Sequence, residues 1–318
     1  MTSAPFDAEM QRHLEELAAL GPPWSRDWPL PQRRVAREEN CRRSLARRPA
    51  RLMVEDIDID GLHARIYRPP GEDPKPGLIF AHGGGWAWGS VESYDDIAAE
   101  LADQADVVTV SFDYRLAPEH RHPAQQQDAM KVLEWMRSSG RAIGLDPTHI
   151  IGAGDSAGGQ VVAGLALKLK MEGQPQLRGL VLIYPVLGGD TETPSYLALA
   201  QSPTLQRVDM IAYLDAFLGP RGSPGWSDPA ALPNLAEDVS GLPPCFISVA
   251  GHDPLKDEGA IFAAKLRAAG VPCVLREEPT LAHSHLRSRH ASAAAGASFR
   301  SIAEAARHLA HEGLLPEG

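Results

Sequence analysis

His149-Ile-Ile-Gly-Ala-Gly-Asp-Ser-Ala-Gly-Gly159 is the stretch on which the reading of this chain turns. An apolar run, His149 to Ala153, gives way at Gly154-Asp155-Ser156-Ala157-Gly158 to a helical pattern that extends from Ala157 to Met171. A serine in G-x-S-x-G between a strand and a helix stands on a sharp turn that presents its hydroxyl. Such a turn strains the serine backbone, and the residues two before and two after must be small enough for strand and helix to approach. Gly154 and Gly158 supply that clearance, which makes Ser156 the candidate nucleophile. The same residues, Gly152 to Ala157, also fit the dinucleotide fingerprint G-x-G-x-x-G/A. Context argues against it: the next strand ends in Tyr184-Pro185 and not in the carboxylate that would hold a ribose, and earlier strands precede the segment.

Working outward, short apolar runs alternate with longer helical ones from about residue 78, the signature of a mostly parallel sheet wound with crossover helices. The expected strands are Gly77–Ala81, Asp106–Phe112, His149–Ala153, Leu180–Tyr184, Pro244–Val249 and Pro272–Arg276. Most are nearly continuous apolar runs, as strands covered on both faces require. Helical patterns fall at Tyr94–Gln104, Gln125–Ser138, Ala157–Met171, Glu258–Ala269 and Ser292–His311. Ahead of them, Val54–Asp60 and Leu62–Tyr67 alternate in sidedness around Asp60-Gly61, which predicts an antiparallel hairpin at the sheet edge. Two helical segments, 6–20 and 32–48, come before any strand, and a helical stretch from Val208 to Leu218 interrupts the core. The expected division is therefore 1–48 as one part of a helical cap, 49–189 as the first part of the core, 190–227 as the cap insertion and 228–318 as the second part of the core.

After the first parallel strand comes His82-Gly83-Gly84-Gly85-Trp86. Glycines there let main-chain N–H groups turn toward a ligand without side-chain obstruction. With the N–H of Ala157, at a helix start where the dipole favours negative charge, Gly84 and Gly85 form a candidate oxyanion hole, with Gly83 in reserve. His82 is expected to brace the loop. An acid and a base should follow the serine in chain order, at the carboxyl ends of later strands. Asp253 is the first carboxylate after Phe246–Ala250, while Asp257 and Glu258 should cap the next helix. The following exit loop offers two histidines, His283 and His285. His252 stands too close to the acid, and His120 and His122 precede the serine. Zinc is the rival use of His120/His122 or His283/His285, but there is no H-E-x-x-H pattern and no third ligand suggests itself, so no metal is expected.

Composition sets the limits within which these motifs act. A chain of 318 residues, 43% hydrophobic and 23% charged, can bury a large core. A formal net charge of −10 argues against nucleic acid as partner, because phosphate neutralisation needs a basic face. The exception is an arginine-crowded segment, 33–51, read as a solvated helix face, with a membrane-surface or partner site as the alternative. Cys41, Cys245 and Cys273 are odd in number and lack metal spacing, consistent with a reducing compartment. Neither an apolar signal stretch nor a run of about 18 apolar residues is present, so a cytoplasmic location without a membrane span is expected.

His82-Gly-Gly-Gly-Trp86, Asp113-Tyr-Arg-Leu-Ala-Pro-Glu119, Gly154-Asp-Ser-Ala-Gly-Gly159 and Asp253-Pro-Leu-Lys-Asp-Glu258 occur in that order. In this the chain resembles the bacterial hormone-sensitive-lipase-like esterases over about residues 75–310. The resemblance implies an α/β-hydrolase fold with a helical cap and a carboxylesterase acting on short- to medium-chain esters without a cofactor. It places the hole on Gly84, Gly85 and Ala157, gives Arg115 internal carboxylate partners, and selects His283 as base. The family's usual His-Gly-Phe is here His283-Ser284-His285, which puts His285 where an aromatic residue normally packs. The expected partner is a small-molecule ester, and a homodimer is the one protein assembly left open. Trp24, Trp28, Trp86 and Trp88 are candidates to shape the pockets or to serve as core. Rival readings with the same triad are an amidase, lactonase or acyltransferase; a binding module that lost its base is another, against which an intact His283 argues.

Overall fold

Alternate residues of a strand face opposite sides, so a strand buried on both faces must be apolar at every position. The computed structural model, which describes residues 4–21, 25, 27–72 and 74–316, shows this over Leu78–Ala81 of β3 (Lys75–Ala81). Leu78 and Phe80 join one hydrophobic cluster, and Ile79 and Ala81 join the other. The chain opens with helices α1 (Ala8–Leu20) and α2 (Leu30–Ser44), then the hairpin β1 (Met53–Ile59) and β2 (Leu62–Arg68). After β3 follow α3 (Asp95–Ala105), β4 (Val108–Phe112), α4 (Ala124–Ser139), β5 (Leu145–Asp155), α5 (Ala157–Met171) and β6 (Leu180–Ile183). Next come α6 (Pro194–Ala198), α7 (Arg207–Leu218), β7 (Cys245–His252), α8 (Lys256–Ala268), β8 (Cys273–Ala282) and α9 (Ala293–His311).

Among the described residues the strands form one eight-stranded sheet in the order β1-β2-β4-β3-β5-β6-β7-β8. The pairs β1/β2 and β2/β4 are antiparallel and the rest parallel. Residues from α3 and α9 fill one face and residues from α4, α5 and α8 the other. In α9 the buried Phe299, Ile302, Ala306 and Leu309 recur at helical spacing and lie on the sheet. The expected hairpin is present at the sheet edge, with Asp60 and Gly61 both at positive φ (51° and 82°) as a tight I′-type turn demands. Since the carboxyl ends of parallel strands all point one way, β3, β5, β7 and β8 deliver residues 82–86, Ser156, Asp253 and His283 to one edge of the sheet.

Several details differ from the sequence reading: β8 runs on to Ala282, six residues past the expected Arg276, and α2 ends at Ser44, four residues before the expected end. β5 begins at Leu145, four residues early, because Lys75 and Pro76 pair with Leu145 and Asp146 before a register shift at Pro76/Gly77. The short α6 lies inside the segment 190–227. Among the described residues no helix is long and apolar enough to cross a membrane.

Candidate active site

Ser156 follows the last residue of β5 with φ 53° and ψ −120°, a strained left-handed conformation between strand and helix. The glycines are required by contact. A Cβ on Gly154 would stand 2.4 Å from Gly158 O, and one on Gly158 would stand 2.0 Å from Ala81 O, both fixed backbone atoms. The turn is tied across the sheet, with Ser156 N donating to Ile183 O at 2.8 Å and Val186 N donating to Ser156 O at 3.1 Å.

Against the Ser156 hydroxyl, 3.0 Å from its Oγ, lies Nε2 of His283. The opposite nitrogen, Nδ1, donates to Oδ2 of Asp253 at 2.7 Å, which fixes the tautomer and leaves Nε2 as acceptor for the serine proton. Asp253 is fully buried, and its other oxygen accepts from Leu255 N at 2.9 Å. The sequence left two histidines at this loop, and their environments differ. His285 is buried with both ring nitrogens engaged: Nδ1 donates to Ala282 O at 3.2 Å, and Nε2 accepts from the Ser298 hydroxyl at 3.0 Å. Burial pulls its pKa down to about 3, so the ring is neutral, and it packs edge-on to Tyr184.

Gly84 (φ 121°) and Gly85 (φ 58°) turn the loop after β3 in a way that L-residues rarely allow. Added Cβ atoms would meet Trp88 O at 2.4 Å and the Tyr213 ring at 2.6 Å. Gly83 N is already spent, donating to Oδ1 of Asp155 at 2.7 Å. The N–H groups of Gly84, Gly85 and Ala157 have no acceptor among the described residues. His82 braces the loop as expected: its Nδ1 donates to Gly83 O at 2.8 Å, its ring stacks on Tyr114 at 4.2 Å, and burial lowers its pKa.

The sequence did not reveal Asp155 as the residue that fixes the loop. Buried beside Ser156 with its pKa raised by burial, it accepts from Gly83 N and from Tyr94 OH at 3.2 Å. A carboxylate that interrupts an apolar strand end was the available signal, since such a group must find partners. Asp257 and Glu258 do sit in the first turn of α8, yet their carboxylates reach away from the helix end they were expected to cap. Asp257 accepts from Ser195 N at 2.8 Å, and Glu258 accepts from Gly188 N at 2.7 Å and Tyr196 OH at 2.9 Å, fastening the segment that leads into α6. Arg115 bonds to Asp128 at 3.0 Å, as the resemblance implied. His122 meets Asp228 and Gln126, while His252 turns to Ala4 O and Phe6; all are apart from the serine.

The open side of Ser156 faces a cleft of about 680 Å³, walled by α2, α7 and the two loops, with Trp88, Tyr213, Met210 and Leu205 as apolar lining. Trp86 is instead core, stacked on Phe217 at 4.0 Å with its N–H given to Gln160. Trp24 lies outside the described residues. Neither Tyr213 nor Met210 carries any local motif that could have announced it.

The family model described as alpha/beta hydrolase fold matches residues 78–287. Carboxylesterase NlhH of Mycobacterium tuberculosis is 38% identical over 270 residues, covering 81% of this chain and 83% of that protein. Esterase LipI of the same organism is 37% identical over 253 residues, 77% of this chain and 79% of its own. A thermostable esterase from Pseudomonas putida superposes with a TM-score of 0.89 at 27% identity, across 98% of this chain and 99% of that one.

Proposed function

The chain belongs to the α/β-hydrolase-fold family, and from that membership we propose that this carboxylic ester hydrolase works through Ser156 as nucleophile, His283 as base and Asp253 as the residue that orients it. His283 Nε2 takes the hydroxyl proton as Ser156 Oγ attacks the ester carbonyl carbon, and returns it to the departing alkoxide. Asp253 holds the imidazole in register and stabilises it while charged. The carbonyl oxygen becomes an oxyanion held by the N–H groups of Gly84, Gly85 and Ala157, donors set before the reaction begins and therefore needing no reorganisation. Water then attacks the acyl-serine along the same proton path and frees the acid. Residues 1–48 and 190–227 act together as the cap: α2 and α7 wall the cleft, and α1 props the N-terminus against α9. The cleft has the size of a small-molecule site, which favours esters of short to medium acyl chains.

The observation that carries this reading is the unbroken line from Asp253 through His283 to Ser156, 2.7 and 3.0 Å, next to backbone N–H groups without partners among the described residues. A fluorophosphonate probe should label the protein stoichiometrically and abolish p-nitrophenyl butyrate hydrolysis. Ser156→Ala should prevent labelling and lower kcat by about 10⁴ to 10⁶ with an unchanged melting curve. A folded Ser156→Ala variant that keeps a tenth of the activity would overturn the assignment.

A further inference from the structure

Hydrogen bonds hold the loop after β3 almost residue by residue, yet they pass over Gly85. The carbonyl of His82 accepts from Tyr114 OH at 2.8 Å, and Gly83 N donates to Asp155. Gly84 O accepts from Trp88 N at 3.0 Å, and Trp86 O accepts from Ala117 N at 2.9 Å. Among the described residues no hydrogen bond reaches either the N–H or the carbonyl of Gly85. It nevertheless stands at φ 58°, and so does Trp86 after it, in the left-handed region that a tryptophan keeps only where its surroundings impose it.

Those surroundings come from α7. Tyr213 and Phe217, one turn apart on that helix, meet Gly85 and Trp86 in turn. Phe217 stacks on Trp86 with 4.0 Å between ring centres and 4° between planes. A Cβ added to Gly85 would stand 2.6 Å from Cγ of Tyr213, 2.7 Å from Cδ2 and 2.8 Å from Cδ1, near-equal distances that lay the face of the ring over the glycine. A ring so close leaves no room for a side chain, and the helix that carries it is fixed by the buried Met210, Leu214 and Phe217. We propose that α7 belongs to the oxyanion hole: the ring of Tyr213 is the positioning residue that holds Gly85, and with it the Gly85 N–H, in the orientation that meets the developing charge. Acting through Gly85, it serves the transition state and not the binding of the ester. This inference rests on the reading of Ser156 as nucleophile with Gly85 among its donors.

The test separates support of the hole from mere walling of the cleft. Activity is scored per site labelled by the fluorophosphonate probe, so that unfolded protein drops out. Tyr213→Ala should lower kcat/KM for p-nitrophenyl butyrate by about tenfold to a hundredfold, most of it in kcat, short of the loss of a whole donor. Tyr213→Phe, which keeps the ring face, should restore it to within about threefold of wild type. Inhibition by 1,1,1-trifluoroheptan-2-one, whose serine adduct carries an oxyanion, should weaken in step with kcat/KM, while that by heptan-2-one should change by less than about threefold. Gly85→Ala should cost at least about fivefold less in the Tyr213→Ala background than in wild type, because the ring no longer opposes the added Cβ. If Tyr213→Ala does not fold, Tyr213→Leu, which keeps apolar bulk without a flat face, takes its place with an expected loss of about fivefold or more. A kcat/KM within about threefold of wild type, equal weakening of both ketones, or an equal cost of Gly85→Ala in both backgrounds would overturn the proposal and leave the esterase reading intact. Wild-type enzyme that neither reacts with the probe nor turns over the ester would instead overturn the reading of Ser156.

Discussion

At the scale of the residue, two histidines one apart do opposite work because their surroundings differ. His283 shares its protons with a carboxylate and a hydroxyl at the cleft, whereas His285 spends both nitrogens inside the protein. His283→Ala should therefore lose activity nearly as completely as Ser156→Ala, while His285→Phe should stay within about tenfold of wild type, a barrier change of about 1.4 kcal/mol. Steady-state kinetics on a short-chain aryl ester separates the two, and the reverse ranking would move the base to His285. His285 has a second signature. Its folded pKa of about 3 lies below its ordinary 6.5, so the unfolded chain binds the extra proton between those values. The stability it contributes is complete above pH 6.5 and is lost as pH falls toward 3, by up to about 1.4 kcal/mol per pH unit. Urea unfolding at pH 7 and pH 5 should show wild type losing more stability than His285→Phe across that interval. The variant itself should be less stable at pH 7 by about 1 to 3 kcal/mol, since Ser298 Oγ loses its buried partner.

Between elements, the carboxylates at the start of α8 act as fasteners for the connection that carries the chain from β6 toward α6 and α7. Glu258 is fully buried, and burial raises its pKa from 4.5 to about 8 despite the donors around it. Because the folded state holds the proton more tightly, the stability this group contributes is present below pH 4.5 and is lost as pH rises through 8. Glu258→Gln keeps an acceptor for the two backbone N–H groups and cannot ionise. Its stability relative to wild type should rise with pH between 5 and 7.5, by up to about 1.4 kcal/mol per unit, as read from denaturant midpoints. A difference that is flat over this range would show that the carboxylate is ionised in place. The same elements mark what the sequence made legible. β3, β6 and β7 were readable because strands covered on both faces form near-continuous apolar runs, and α9 because its apolar face repeats. The first residues of β5, with Asp146, Thr148 and His149, lack that signature and join the sheet only through their partners in β3. At five residues, α6 is too short for any period to register.

Across the whole molecule, Ser156, Asp253 and His283, the groups proposed to react, come from loops after β5, β7 and β8, and each of these carried its own short pattern. The cleft did not. Tyr213, Met210, Arg33 and Arg287 become neighbours only when α2 and α7 settle over the sheet edge, and no spacing along the chain encodes a contact between residues 33 and 287. Placement of α2 depends strongly on Arg34, which donates to Ala87 O at 2.8 Å and Ala117 O at 2.7 Å and pairs with Glu119, pinning the helix above the loop that follows β3. α1 is held elsewhere: Asp7 accepts from the Ser292 hydroxyl at 2.9 Å, and Met10 packs with Ala250, Leu281 and Ala295 beneath the exit loops of β7 and β8. Removing residues 1–48 would thus strip a wall from the cleft and a prop from the loops, yet leave Ser156, His283 and Asp253 on strand ends fixed by the sheet. The truncated protein should melt several degrees lower, as follows from losing a few kcal/mol of packing in a chain of this size. Its order of preference among p-nitrophenyl esters from acetate to decanoate should change, while fluorophosphonate labelling of Ser156 stays within about tenfold of the full chain. Arg34→Ala should shift preference in the same direction with a smaller fall in melting temperature. Retention of both the substrate profile and the melting temperature after truncation would mean that the first 48 residues are not part of the cap.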